Sequence, residues 1–483
     1  MSWSCRHGLP ALGGTALVLC SLTLGAAQAV AQPSTAPVPT YAMPPVPDPL
    51  LHPTAAPIAP DSPTARTNVE CVKASPGTPG EIKAPPWAQA QLRFADAWPL
   101  SRGAGVRVAV IDTGVNPHPR LGARLEPGGD YVSNTPGTTD CDGHGTIVAG
   151  IIAASADPTE RTGFAGVAPD ATLISIRQTS KYYDEVAKGS GDEPGYGNLS
   201  TLARSVVRAV DLKAKVINIS EAACGPATKV LNDGALGAAL KYAVDNDVVI
   251  VAAAGNTGST DAGSCKNQNA TNPAQPGVPG KSPVATIASP AWYSDYVLAV
   301  GAMARDGTAS KSSLAGPWVG VAGPGEDITS LDPAPGSVGL SNRLAETPGA
   351  QLGPIQGTSF AAPYVAGTAA LVRARFPSLS AKQVVQRIKV TAHTPPGGWS
   401  PTVGYGMVDP VAAVADVLPS EGTAQSARDS TTRIPPPVAP KAPDTTPRTV
   451  AFAGSAAALA AVVLTFAVLD ATRRHRRRAD GPG

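Results

Sequence analysis

Val106 to Gly114 reads VRVAVIDTG, a run of small and β-branched apolar residues that stays apolar after Arg107 and ends in a carboxylate followed by a turn residue. A strand with one face in water alternates polar with apolar. One that stays apolar is covered on both faces, as in a parallel sheet between two helical layers. The same signature recurs in ATLISIR (171–177), KVINIS (215–220), VVIVAAAG (248–255) and YVLAVGA (296–302). Helical patterns stand between these runs: TIVAGIIAA after Gly145, TLARSVVRAVDLKA from Thr201 and ALGAALKYAVDN from Ala235. The alternation predicts an α/β domain over 87–418, a doubly wound, mostly parallel sheet with helices on both faces.

The chain outside that body is of another kind. Residues 1–31 hold an early Arg6, an apolar run from Leu9 to Leu24 and small residues at Ala27, Ala29 and Ala31, the pattern of a secretory signal peptide. Residues 32–86 carry fifteen prolines and few large apolar groups, so they form no core alone and are expected to lie extended on the body. A second proline-rich stretch, 419–448, reads as a linker to an expected transmembrane helix at 449–470, whose run from Val450 to Leu469 carries no charge and is long enough to cross a bilayer. Arg473, Arg474, Arg476, Arg477 and Arg478 follow it, against Arg448 before it, so the tail 471–483 is expected in the cytoplasm and the body outside, on a single-pass cell-membrane protein. With a formal net charge of only +2, the chain has no field to draw a nucleic acid, and its basic cluster is better explained by the bilayer beside it.

Cys5 and Cys20 fall in the signal segment, which leaves Cys71, Cys141, Cys224 and Cys265 in an oxidising compartment. Four cysteines allow three connectivities, of which the simplest pairs Cys71 with Cys141 and Cys224 with Cys265. No C-x-x-C or H-E-x-x-H spacing occurs and no cofactor is called for; no acidic loop has a spacing that assigns a metal site, which leaves calcium open.

Three stretches carry chemistry. Asp112 ends a strand at the edge where open α/β sheets bind ligands. His144, in Asp142-Gly143-His144-Gly145-Thr146, is flanked by glycines that admit backbone or substrate, whereas His52, His118 and His393 neighbour prolines and are expected on the surface. Ser359, in GTSFAAPYVAG (357–367), starts a buried helix whose dipole favours developing negative charge. A serine hydroxyl becomes a nucleophile when an imidazole takes its proton and a carboxylate holds the imidazole's tautomer, and these three residues supply those groups. Asn256, ending VVIVAAAGN, is the candidate side-chain donor to an oxyanion.

In order and in wording, VAVIDTGVNPHPRL, CDGHGT, SIRQTS, VINIS, VIVAAAGN and GTSFAAPYVAGTAALVRARFPSLS closely resemble the subtilisin-like serine proteases, and most of all the mycosins, membrane-anchored proteases of actinobacterial type VII secretion systems. The resemblance implies Asp112, His144 and Ser359 as catalytic triad, Asn256 as oxyanion residue, and a substrate strand beside Ser220. It implies exported proteins as substrates and the secretion membrane complex as partner, with a structural role in that complex as the alternative to proteolysis. It also implies an N-terminal extension that wraps the domain and is not a cleaved inhibitor. Lipases place serine in a G-x-S-x-G elbow ahead of the other two groups, an order absent here. Ser220-Glu221-Ala222-Ala223-Cys224 departs from the small, glycine-containing wall usual in subtilisins; Glu221 either favours a basic substrate residue or, the favoured reading, simply points to solvent. Lys181–Asn198 and Thr257–Lys281, polar and Gly/Asn-rich, are expected as surface loops open to partners.

Overall fold

Strands that are apolar throughout need cover on both sides, and they have it in the computed structural model, which describes residues 44–48, 51, 53–75, 83–159, 162–187, 195–229, 231–258, 265–271, 284–345, 350–421 and 446–479. Seven parallel strands form the main sheet: β1 (Arg107–Asp112), β2 (Leu125–Asp130), β3 (Thr172–Arg177), β4 (Val216–Ile219), β5 (Val249–Ala253), β6 (Val297–Met303) and β7 (Val319–Pro324), in the order β7-β6-β5-β4-β1-β3-β2. The chain runs outward from β1 to β2 and β3, then crosses back to β4 on β1's other side, so β1 ends at the switch point. The expected doubly wound sheet is present. β2 and β7 extend it beyond the runs legible as strands.

Side chains on β1 divide between two cores. Val108 and Val110 pack with α1 (His144–Ala153) and α4 (Thr358–Arg375) on one face, and Ala109 and Ile111 pack with α2 (Leu199–Asp211) and α3 (Gly234–Asp245) on the other. All four are fully buried, and a buried Val or Ile stabilises the fold by about 1.5–3 kcal/mol, so β1 is held from both sides. α1 and α4 lack a polar face because the sheet and surrounding segments enclose them, whereas α2 is amphipathic and starts from an Asn198 capping box.

The described residues of the proline-rich extension up to Ser75 lie on this body. Thr64–Arg66 pairs antiparallel with Tyr183–Glu185, and Ala74–Ser75 with Arg343–Leu344. Arg204 of α2 binds the Asp61 carboxylate and the Pro57 carbonyl, and Tyr131 donates its hydroxyl to Ala55 O at 3.1 Å. A disulfide, Cys71–Cys141, ties the strap to the loop before α1. The segment Lys181–Asn198 is less loop-like than expected: it supplies the Tyr183–Glu185 strand, and Tyr182 and Tyr196 are buried. Within Thr257–Lys281, Cys265 is bonded to Cys224, and the buried Asn269 side chain bonds backbone on both sides of it, so this stretch too is partly core.

Thr446–Ala479 forms a separate helix. Ser455–Arg474 within it is 20 residues long with mean hydropathy 1.9, enough to cross a membrane by length and composition. The expected signal peptide (1–31) and most of the linker (419–448) lie outside the described residues.

Candidate active site

Asp112, the last residue of β1, is fully buried. Its Oδ1 accepts from Thr113 N at 2.8 Å and lies 2.7 Å from Nδ1 of His144, the first residue of α1. The imidazole reaches the strand end because Gly145 follows it: a Cβ there would stand 2.0 Å from Gly114 O and 3.1 Å from Asp112 Cβ. Any side chain at 145 would push α1 off β1.

The start of α1 is fixed by a residue that sequence reading passed over. Asp140, fully enclosed, accepts hydrogen bonds from Thr113 Oγ1 (2.8 Å), Gly143 N (2.7 Å), Thr146 N (2.8 Å) and Thr146 Oγ1 (2.6 Å). Burial raises its carboxyl, with the nearby Asp112 charge adding and these bonds opposing. Asp142 has a comparable part. Its carboxylate takes Ser180 Oγ at 2.6 Å and Lys181 N at 2.7 Å, tying the chain after β3 to the histidine loop, and burial, with Asp140 nearby, pushes it up to about 6. The signal was in the spacing of two aspartates around the disulfide cysteine, but only tertiary contacts give it meaning.

For His144 burial works against charge, yet the Asp112 carboxylate and its hydrogen bond, then Glu221, outweigh it and raise the imidazole to about 9, with Lys181 opposing. The ring packs on Phe360, centroids 4.9 Å apart. With Nδ1 turned to Asp112, Nε2 remains for a substrate-side proton.

Ser359 is the second residue of α4, entered through Gly357 at φ +132°, a backbone conformation that favours glycine. Pro363 lies four residues on and has no N–H to give the Ser359 carbonyl. Ser220 Oγ takes that place, donating to Ser359 O at 2.8 Å while accepting from Asn218 Nδ2 at 2.9 Å. A proline inside a buried helix thus lets the chain after β4 grip the turn that carries the serine. Asn256 is oriented by the same turn: its Oδ1 accepts from Thr358 N (2.9 Å) and Thr358 Oγ1 (3.0 Å), which assigns the amide and leaves Nδ2 as a donor.

His144, Ser359 and Asn256 line one cleft of about 700 Å³ together with Ser220, Glu221, Tyr182 and Leu199, and Asp112 stands behind His144. The cleft can support acyl transfer by a serine nucleophile, an imidazole base, an orienting acid and an amide facing the developing oxyanion. The Cys224–Cys265 bridge ties its Ser220–Cys224 wall to the loop after Asn256, where Cys265 N donates to Asn256 O at 2.8 Å.

Two expectations are corrected here. Glu221 does not point simply to solvent: its side chain is 36% exposed, and Oε1 lies 3.9 Å from His144 Nδ1. His118 is buried, accepting from Arg120 N and facing Gly339 O at 3.2 Å, because the loop after β1 folds under the segment around 339. His393 is largely exposed and pairs with Asp409 at 3.2 Å; His52 lies outside the described residues. Asp112, His144 and Glu221 gather three possible metal ligands, but the Asp112 contact occupies Nδ1, the ring nitrogen nearest both acids.

The subtilase family model matches residues 103–406. Mycosin-4 of Mycobacterium tuberculosis is 48% identical over 449 residues, covering 91% of this chain and 92% of its own length. Mycosin-3 of the same organism is 43% identical, covering 90% and 93%. Among solved structures, the MycP3 protease from the type VII (ESX-3) secretion system matches with TM-score 0.69 and 46% identity over 77% of this chain and 99% of that one. A chain of the intact ESX-5 inner membrane complex matches with TM-score 0.67 and 39% identity over 89% and 98%.

Proposed function

The chain belongs to the subtilase family and, within it, to the mycosins, and from that membership we propose a membrane-anchored serine endopeptidase of a type VII secretion system, with Asp112, His144 and Ser359 as triad and Asn256 as oxyanion donor. The observation that carries the site assignment is the 2.7 Å contact between His144 Nδ1 and a fully buried Asp112, on a cleft that Ser359 also lines. Ser359 attacks the scissile carbonyl as His144 Nε2 takes its proton. Asp112 holds the tautomer and stabilises the imidazolium, and the tetrahedral oxyanion meets Asn256 Nδ2. His144 then returns the proton to the leaving amine, and water repeats the sequence on the acyl-enzyme.

The assignment is tested on the full chain in detergent. A fluorophosphonate should label the wild type at Ser359 and leave Ser359→Ala unlabelled and inactive on peptides; labelling elsewhere, or hydrolysis by Ser359→Ala, would refute it.

The apolar helix Ser455–Arg474 and the arginines after it support an anchor with the body outside and the tail inside. Vesicle sidedness checks this, since a tag on the tail should be digested only in inside-out vesicles.

The relatives' place in an inner membrane complex supports membership of such an assembly, with exported proteins as substrates and a structural contribution as a second role. Comparing secretion in a deletion strain and a Ser359→Ala strain separates the two. If the point variant still secretes and only processing stops, the chain is also a structural part of the machine.

A further inference from the structure

Glu221 follows Ser220 at the carboxyl end of β4 and stands on the cleft wall beside the catalytic base. Its Oε1 is 3.9 Å from His144 Nδ1, while Asp112 Oδ1 holds that nitrogen at 2.7 Å from behind. Two acidic side chains therefore converge on one edge of the imidazole, one sealed in the sheet and one opening on the cleft. No described donor hydrogen-bonds the Glu221 carboxylate, and its ion-pair partner among the described residues is the imidazole.

The charged groups that face the pair are Asp112 at the end of β1, Lys181 after β3 and Asp142 on the loop before α1, with Asp140 and Arg177 acting on Asp142 from behind. Burial raises the Glu221 carboxyl; of these charges, His144 and Lys181 oppose that rise while Asp112 and Asp142 add to it. Asp142 is engaged by Ser180 and the Lys181 amide, which leaves Glu221 as the acid that meets the base from the substrate side.

We propose that Glu221 is a positioning residue for the catalytic imidazole, an acid that favours the imidazolium from the cleft side and sets how acidic a medium the protease tolerates before its base is lost. A base must be neutral to accept the Ser359 proton, so a carboxylate that favours the charged ring moves the acid limb of activity to higher pH. The same charge steadies the imidazolium formed during attack. Ordinary subtilisin chemistry needs only the buried aspartate for the tautomer, so the second acid trades activity in acid for stabilisation of the charged state. The proposal rests on the serine-protease reading above.

The test is the pH dependence, from pH 5 to 10, of the second-order rate at which a fluorophosphonate labels Ser359 in the full-length protein in detergent, a readout that needs no peptide subsite. Glu221→Gln should move the acid limb down by about one pH unit, so that labelling at one unit below the wild-type midpoint speeds up several-fold, towards the tenfold that one unit allows. Glu221→Asp, which keeps the charge, should stay closer to wild type. A limb that does not move in Glu221→Gln, with the wild type labelled normally, overturns this role alone. Altered preference between lysine-containing and neutral peptides with an unmoved limb also overturns it and makes Glu221 a reader of substrate charge. Failure of the wild type to label overturns both readings.

Discussion

Pro363 and Ser220 make a cycle of substitutions whose outcome follows from two bonds. Ser220→Ala removes the donor to Ser359 O and the acceptor for Asn218 Nδ2, a buried side chain whose Oδ1 already lacks a partner. Leaving such groups unserved costs about 1–3 kcal/mol, and about 2 kcal/mol is expected for Ser220→Ala alone. Pro363→Ala restores an amide N–H four residues after Ser359, where the helix would normally bond its carbonyl. In that background Ser220→Ala loses one of its two consequences, so its cost should shrink to about 1 kcal/mol, a coupling of roughly 1 kcal/mol. Guanidinium unfolding of the four proteins, followed by tryptophan fluorescence, measures each corner. Costs that add to within about 0.3–0.5 kcal/mol would show that Ser220 does not stand in for the missing helix bond.

Asn256→Ala should lower kcat by about 10²–10³ with little change in KM, since the amide acts where charge develops; steady-state kinetics on a peptide checks it. Replacing Cys71 and Cys141 together frees a 70-residue separation, and loop entropy sets an upper limit of about 4 kcal/mol on the loss of stability. Its kcat/KM should hold within about twofold, because Asp140 fixes the histidine loop independently; denaturation and kinetics on one preparation separate these effects. Asp142, pushed up to about 6 from 3.8, binds more protons folded than unfolded between those values, so its contribution is present at low pH and lost as pH rises through 6. Asp142→Asn should abolish that slope and gain relative to wild type by up to about 3 kcal/mol between pH 4 and pH 7, read from unfolding midpoints across the range.

The central strands were legible because burial on both faces leaves a continuous Val/Ile run, and they begin and end within two residues of the expected places. β2 was not. It reads LEPGGD, and its proline is tolerated because β2 is an edge strand whose register shifts between Pro127 and Gly129. β7 was missed for a similar reason, holding Gly320, Gly323 and Pro324 on the opposite edge. Asp112, His144 and Ser359 were readable because each sits in a local run that needs small neighbours on both sides. Glu221 and Asp140 were not, since their meaning lies in contacts with residues 77 and 27 positions away, His144 and Thr113. His118 misled because a proline on either side marks a turn and says nothing of what folds over it.

The strap gives the chain an order in time. Its strands and side chains meet Tyr183–Glu185, Arg204 and Arg343–Leu344, all made long after residues 55–75 themselves. A chain synthesised from its N-terminus therefore holds residues 55–66 until Tyr131, Tyr183–Glu185 and Arg204 have been made, and holds Ala74–Ser75 without its partner strand while more than 250 further residues are added, the span between Ser75 and Arg343. Among the described residues of the body, the stretch made earliest thus takes its place only on surfaces that later residues supply.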